Sequence, residues 1–263
     1  MPELPEVETI RRGLKEKILG KKIVKVDIKV PKLFVGNSKD IIGTKIIDAK
    51  RVAKVLEIVL SNGYSIIIHL KMTGQLIYQG EENQFTHIIY HFADGTKLLF
   101  NDMRKFGWNK IVKTSEVIKI FGPDYFGPEP GMGEFTVGYL KKIFSKSGKA
   151  IKLVLMDQEK IGGIGNIYAN DALYVAGILP TRPAKSLTDI EISKLKKAIE
   201  KVIKLGLEYG GSSENTYVNI EGKKGRYMEV TAVYQKKTDP KDHEIQRTKI
   251  GGRGTFSCPI CQK

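Results

Sequence analysis

The first residue able to do unusual chemistry is the second in the chain. Removal of Met1 would leave Pro2 as a free secondary amine. A secondary amine condenses with an aldehyde-level carbon to give a charged iminium without losing a second proton. An α-amino group titrates near about 7.7–8.0, so a sizeable fraction is unprotonated at neutral pH. Glu3 and Glu6 stand beside it and could move the proton such a reaction requires. Many chains begin Met-Pro, so the same residues also read as a plain helix lead-in. A second chemical pair is Cys258-Pro259-Ile260-Cys261, which holds both cysteines of the chain. This spacing supplies two thiolates to a tetrahedral metal, or a redox dithiol, or two inert thiols in a packed hairpin. A zinc ribbon needs a second pair, and the nearby substitutes are Asp239, Asp242 and His243. A third candidate is Gly162-Gly163-Ile164-Gly165-Asn166, which lacks the Walker lysine. It reads as a packed turn, or as a turn aiming backbone N–H groups and Asn166 at a phosphodiester. His69, His87 and His91 fall in β segments and form no metal-ligand cluster, which suits hydrogen-bonding or core-edge roles. Met72 and Phe106 fall near turns, where a bulky apolar side chain either is exposed or belongs to ordinary core.

The partner of this chemistry is suggested by charge. Lys and Arg number 44 against 29 Asp and Glu, a net charge of +15 in 263 residues, 41% of them apolar. That excess points to a polyanion, nucleic acid before a membrane surface. No apolar run approaches the roughly 18 residues of a membrane span. The acidic, Pro-rich start lacks the basic and apolar regions of a signal peptide. Two cysteines exclude a disulfide-dense secreted scaffold, and cytoplasm is the expected compartment.

The elements that must hold these groups follow from periodicity. Residues 2–19 predict a helix with Val7, Ile10, Leu14 and Ile18 on one face and Gly20 as its stop. Val24, Val26, Ile28 and Val30 alternate as in a strand. Segments 54–60 and 64–70 flank Ser61-Asn62-Gly63, and 85–92 and 96–100 flank Ala93-Asp94-Gly95, two hairpin signals. Residues 106–112 add a further strand. Breakers then crowd 122–133, and helical patterns follow at 136–146, 150–159, 167–176 and 188–208. Thr248–Ile250 and Thr255–Phe256 have strand propensity around Gly251-Gly252. No internal repeat or low-complexity tract is visible.

On its motifs the chain resembles the bacterial formamidopyrimidine-DNA glycosylases, also called 8-oxoguanine DNA glycosylases. The resemblance runs from Pro2-Glu3-Leu4-Pro5-Glu6-Val7-Glu8-Thr9 through His69-Leu70-Lys71-Met72-Thr73-Gly74 and Asn101-Asp102-Met103-Arg104-Lys105-Phe106-Gly107. It continues through Gly122-Pro123, Gly127-Pro128-Glu129-Pro130, Leu155-Met156-Asp157-Gln158, Gly163 to Ala169, Val233-Tyr234 and Gly251-Gly252-Arg253-Gly254-Thr255. The resemblance implies a bifunctional glycosylase and AP lyase that removes 8-oxoguanine and formamidopyrimidines from duplex DNA in base excision repair. Pro2 is then the nucleophile at C1′ and forms a Schiff base, followed by β,δ-elimination. Glu3 assists ring opening and proton transfer, Glu6 belongs to the same pocket, and Lys54 contacts the backbone and lesion region. Met72, Arg104 and Phe106 fill the gap left by the extruded nucleotide, with Arg104 facing the orphaned cytosine. Asn166 and Arg253 bind phosphate, Ser212 lies near the loop that closes over the base, and His69 and Tyr234 complete the DNA-contacting set. Extrusion costs a few kcal/mol of stacking, which is why apolar wedges and a fixed arginine fork suit the task.

The fold implied is α+β: a β-sandwich-like N-terminal domain with a long first helix (1–121), a linker (122–135), a helix–two-turn–helix domain (136–220) and a terminal hairpin (221–263) resembling a zinc finger. The chain departs from the family there. Counted back without gaps, the family's first cysteine pair falls on Thr238 and Lys241, neither of which binds zinc. The expectation is a hairpin folded by packing without zinc; Cys258 and Cys261 would otherwise need two of Asp239, Asp242 and His243. The resemblance further implies a monomer, associated with the nucleoid.

Overall fold

The computed structural model describes residues 1–122, 125–214 and 216–263; Pro123 of the Gly122-Pro123 motif lies outside them. The chain forms two compact units, Met1–Gly122 with Tyr209–Arg226, and Pro123–Glu208 with Tyr227–Lys263.

The first unit opens with helix α1 (Leu4–Ile18). Its stripe of Val7, Ile10, Leu14 and Ile18 is at most 1% exposed, as the periodicity requires. Nine strands follow: β1 (Ile23–Ile28), β2 (Phe34–Val35), β3 (Ile46–Val52), β4 (Val55–Leu60), β5 (Tyr64–His69), β6 (Gly74–Tyr78), β7 (Thr86–Phe92), β8 (Lys97–Asp102) and β9 (Trp108–Lys113). They build a four-stranded sheet ordered β1-β7-β8-β6 and a five-stranded sheet ordered β2-β9-β5-β4-β3. Every pairing is antiparallel except β2 with β9. Ile58, Ile66 and Ile68 of one sheet, Ile88, Tyr90 and Phe100 of the other, and Ile10 and Leu14 of α1 belong to one buried cluster. The unit is therefore a sandwich with a helix sealed against it. Strands β3 and β6 carry no clear local signal, and the short helix α2 (Thr114–Phe121), with Val117 on its buried side, is an element the sequence reading did not expect. Asp48, Lys50 and Arg51 break the apolar alternation of β3, and β6 begins on a glycine.

The second unit holds helices α3 (Val137–Ser145), α4 (Ile151–Met156), α5 (Asn166–Ala176), α6 (Asp189–Glu208) and α7 (Tyr227–Val230), then strands β10 (Gln246–Ile250) and β11 (Arg253–Ser257). Helix α4 stops three residues short of expectation because the chain turns at Asp157, whose carbonyl accepts the Lys160 and Ile161 N–H groups at 3.0 and 2.8 Å. The β10–β11 hairpin turns on Gly251 (φ 56°) and Gly252 (φ 74°), both left-handed, as a two-residue turn demands.

Two boundaries differ from the expected ones. Residues 209–226, expected to divide between the helical domain and the tail, group with the first unit. Ile220 and Tyr217 enter the sandwich core, and the Tyr78 N–H donates to the Ile220 carbonyl at 2.7 Å. Much of the expected linker also belongs to the second unit's body: Gly127 N–H donates to the Gln158 carbonyl at 2.9 Å, and Phe135 is 1% exposed. A Cβ at Gly127 would collide with the Lys160 carbonyl, so glycine is needed for that approach.

Candidate active site and nucleic-acid interface

In the first unit the start of α1 gathers the N-terminal acids. Pro2, Glu3 and Glu6 are all buried. Glu3 is the N-cap, and its backbone N–H donates to Glu6 Oε2 at 2.6 Å within a capping box. Glu6 Oε1 accepts the Ser212 N–H at 2.7 Å, tying the 209–226 segment to the helix start. The positive end of the helix favours carboxylates here. Ser212 is buried, and its hydroxyl has no hydrogen-bond partner among the described residues. Burial first, and then the Glu6 charge, push the Tyr217 phenol up.

Lys54, 4% exposed, occupies the two-residue β3–β4 turn with Ala53. Arg51 steadies that turn by donating to the Ala53 carbonyl at 2.8 Å, while its Nε reaches Glu8 Oε2 at 3.2 Å. Glu8 also accepts from Arg11 and Arg12. Burial raises its carboxyl, but the guanidiniums outweigh this and hold it at about 2.

His69 ends β5, and its Nδ1 accepts the Lys71 N–H at 2.9 Å, which assigns the ring proton to Nε2. Burial, then the charges of Lys71 and Lys54, lower it to about 4, so the ring is neutral at pH 7. Met72, half-buried, follows in a turn closed by Gly74 N–H to the Leu70 carbonyl at 2.9 Å.

Arg104 and Phe106 are exposed on the β8–β9 turn, with the guanidinium 4.8 Å from the ring centroid. Asp102, fully buried, organises them. Its Oδ1 accepts from Thr73 Oγ1 at 2.5 Å and Arg104 N at 3.1 Å; its Oδ2 accepts from Phe106 N at 2.8 Å and Gly107 N at 2.6 Å. One carboxylate thus holds the turn carrying Arg104 and Phe106 to the turn carrying Met72. Among the described residues six non-glycine ones have left-handed φ: Ala53, Lys71, Gln79, Lys105, Gln235 and Asp242. All except Gln79 adjoin a candidate site residue, where stored backbone strain is commonly found.

In the second unit Asn166 is the first residue of α5, after a turn that Gln158 ties internally. The Gln158 amide donates to the Met156 and Ile164 carbonyls and accepts the Gly163 N–H at 3.0 Å. Asn166 Nδ2 lies 3.5 Å from the Tyr234 hydroxyl. Asp171, 1% exposed, accepts from the hydroxyls of Tyr227 and Thr231 and the N–H groups of Ala232, Val233 and Tyr234. Arg253 is exposed at the hairpin turn. The buried Lys152 ammonium donates to the Gly254 carbonyl and Thr255 Oγ1, both at 2.8 Å, and Asn170 Oδ1 accepts the Phe256 N–H at 2.9 Å.

Asp239 and His243 come together with Cys258 and Cys261, their ligand atoms within 4.8 Å of one another. Asp242 is exposed and does not join them. The Asp239 carboxyl, raised by burial, is held well below the usual range by the N–H groups of His243 and Lys241 and by the cysteine thiols. Burial, then the Asp239 carboxylate, push the Cys261 thiol up. A carboxylate, an imidazole and two thiols at this separation are a donor set that fits zinc.

Sequence reasoning missed Asp102, Glu8, Arg51, Asp171 and Lys152 as positioning residues. Asp102 and Glu8 lie inside motifs already singled out, and Glu8 precedes Arg11 and Arg12 at helical spacing; Asp171 and Lys152 leave no such trace.

Residues 1–109 match the Formamidopyrimidine-DNA glycosylase N-terminal domain, and residues 126–218 match the Formamidopyrimidine-DNA glycosylase H2TH domain. The chain is 39% identical over 274 residues to the formamidopyrimidine-DNA glycosylase of Pelotomaculum thermopropionicum, covering 100% of this chain and 99% of that protein. It is likewise 39% identical over 274 residues to that of Listeria monocytogenes, covering 100% of both. Among solved structures, Lactococcus lactis Fpg in complex with abasic-site DNA superposes with a TM-score of 0.93 at 32% identity over 99% of each chain. A mutant of the same protein in complex with Fapy-dG-containing DNA gives a TM-score of 0.94 at 32% identity over 100% of each. Motifs, two-unit fold and full-length similarity agree, and the chain belongs to the formamidopyrimidine-DNA glycosylase family.

Proposed function

We propose that this chain is a DNA glycosylase that excises oxidised purines, 8-oxoguanine and formamidopyrimidines, from duplex DNA and then cleaves the strand as an AP lyase. The observation that carries this reading is the Pro2-Glu3 start, buried at the head of α1, in a chain similar over its full length to named glycosylases. With Met1 removed, the Pro2 nitrogen attacks C1′ and the base leaves, taking up a proton. Glu3 supplies a proton as the sugar ring opens, leaving an iminium between Pro2 and C1′. The iminium acidifies C2′, and β- then δ-elimination expels the two phosphates before water releases Pro2. Lys54 and Glu6 act in that pocket. Met72, Arg104 and Phe106 occupy the space of the extruded nucleotide, while Asn166, Tyr234 and Arg253 bind the backbone and His69 and Ser212 complete the contacts.

A zinc ion held by Asp239, His243, Cys258 and Cys261 would supply a structural cross-link for the hairpin carrying Arg253 and no chemistry at the lesion. No described helix is long and apolar enough to cross a membrane. In this reading the enzyme acts on cytoplasmic DNA at the nucleoid, as a monomer. Borohydride added during reaction with an 8-oxoguanine duplex tests the mechanism. The expected product is an irreversible protein–DNA adduct through Pro2; cleavage without any trappable adduct would refute the iminium.

A further inference from the structure

We propose that Asp239, His243, Cys258 and Cys261 form a structural zinc site in which a carboxylate and an imidazole stand where the family pattern has two thiolates. Sequence spacing argued against zinc because Thr238 and Lys241 occupy the gap-free positions of the missing pair. The fold instead brings in the residues one and two places further on.

The local geometry explains how. The 238–244 loop is closed by a bridge between Thr238 and Glu244 and by the Asp239 N–H donating to the His243 carbonyl at 2.9 Å. Asp239 and His243 are separated by one residue more than a C-x-x-C pair. Asp242, at φ 64°, turns the chain in the left-handed region and absorbs that residue. Asp239 Oδ1 is occupied by the N–H groups of Lys241 and His243 at 2.8 and 3.0 Å, while Oδ2 meets His243 Nδ1 at 3.1 Å and Cys261 Sγ at 3.3 Å. Cys261 Sγ is also 3.3 Å from His243 Nδ1. Tetrahedral zinc with bonds of roughly 2.0–2.3 Å spaces its donors about 3.3–3.8 Å apart, so the four atoms need only small adjustments to bind it.

The surroundings orient the ligand atoms. The Cys261 N–H points at Cys258 Sγ at 3.4 Å. Cys258 is fixed through its own N–H to Gln262 Oε1 at 2.8 Å, and Gln262 donates to the Ile178 carbonyl at 2.8 Å. Such outer contacts orient ligands before the metal arrives. Asp239 is 3% exposed and Cys258 0%. A divalent cation among two thiolates, one carboxylate and a neutral imidazole leaves a net charge of −1 there, against −2 with four thiolates. The rival arrangement is the same cluster joined by hydrogen bonds alone.

The test uses full-length protein without a histidine tag. Protein purified without chelator is expected to carry one zinc per chain by elemental analysis. Stripped and reloaded with cobalt, it should show the visible bands of tetrahedral cobalt and a near-ultraviolet thiolate charge-transfer band. Asp239→Ala and His243→Ala should lose the tetrahedral bands, whereas Asp242→Ala keeps them. Should those variants misfold, His243→Cys must still bind cobalt and strengthen the charge-transfer band. Protein that takes up neither zinc nor cobalt overturns the site. So do cobalt spectra indifferent to changes at Asp239 and His243, since the metal would then rest on the cysteines alone.

Discussion

At the residue scale the chemistry concentrates on groups whose surroundings fix their state. Pro2 needs a free nitrogen, so protein retaining Met1, or the variant Pro2→Gly, should nearly lose strand cleavage yet bind DNA almost as before. Intact mass, fluorescence anisotropy and a nicking assay on one sample check this; normal cleavage by Met1-retaining protein would contradict it. Arg104 stands exposed beside the Phe106 ring. Arg104→Ala should narrow the preference for cytosine opposite the lesion by about 1–3 kcal/mol, the worth of a bidentate base contact. Single-turnover rates against each opposing base measure it, and an unchanged ratio would assign orphan-base reading elsewhere.

At the element scale the turns matter more than the strands. Asp102 joins the turn bearing Met72 to the turn bearing Arg104 and Phe106 through one side chain. Asp102→Ala would strand several buried donors, at a cost of about 3 kcal/mol. Loss of hydrogen-exchange protection should centre on residues 102–107, with lesion cleavage reduced more than nonspecific binding. Protection retained there would show the turn to be held by other contacts. The Arg51 link between Glu8 and the Ala53 carbonyl plays the same part for Lys54, converting a charge cluster on α1 into the geometry of a hairpin.

At the scale of the whole molecule, charge and pH decide behaviour. A net charge of +15 predicts DNA affinity that falls steeply as salt rises, because bound phosphates release counterions. A flat dependence would exclude a phosphate-dominated interface. For pH, His69 has a folded value of about 4 against an ordinary 6.5. The unfolded chain therefore binds the extra proton between these values, and stability drops as pH falls through that window, by the order of about 2 kcal/mol after solvent screening. Glu8, at about 2 against 4.5, acts next: its contribution is complete above 4.5 and fades as pH falls towards 2. Trp108, the single tryptophan, lies 5.8 Å from the His69 ring and reports on the first unit. Its fluorescence should show the melting temperature falling from pH 6.5 to 4, and His69→Gln should flatten that slope. An unaltered slope would shift the effect to other groups.

Local pattern alone determined α1, the hairpins around Asn62-Gly63 and Asp94-Gly95, and the helices α3, α5 and α6. Apolar period and turn residues act within a few positions, and the ends of each of these elements fell within two residues of expectation. The Pro2-Glu3 pair stood out as candidate chemistry by residue type, whereas the roles expected of Met72, Arg104 and Phe106 came from resemblance to the family. Other features were decided only by contacts between distant parts of the chain. Ser212 meets Glu6 across 206 positions, drawing residues 209–226 into the first unit. Cys261 meets Asp239 across 22 positions, selecting Asp239 and His243 over Asp242 as neighbours of the cysteines. Hydrogen bonds of that span impose no period and no turn composition on the residues between. Their energy is gained only once both segments are packed, which is why tertiary structure and not sequence pattern specified them.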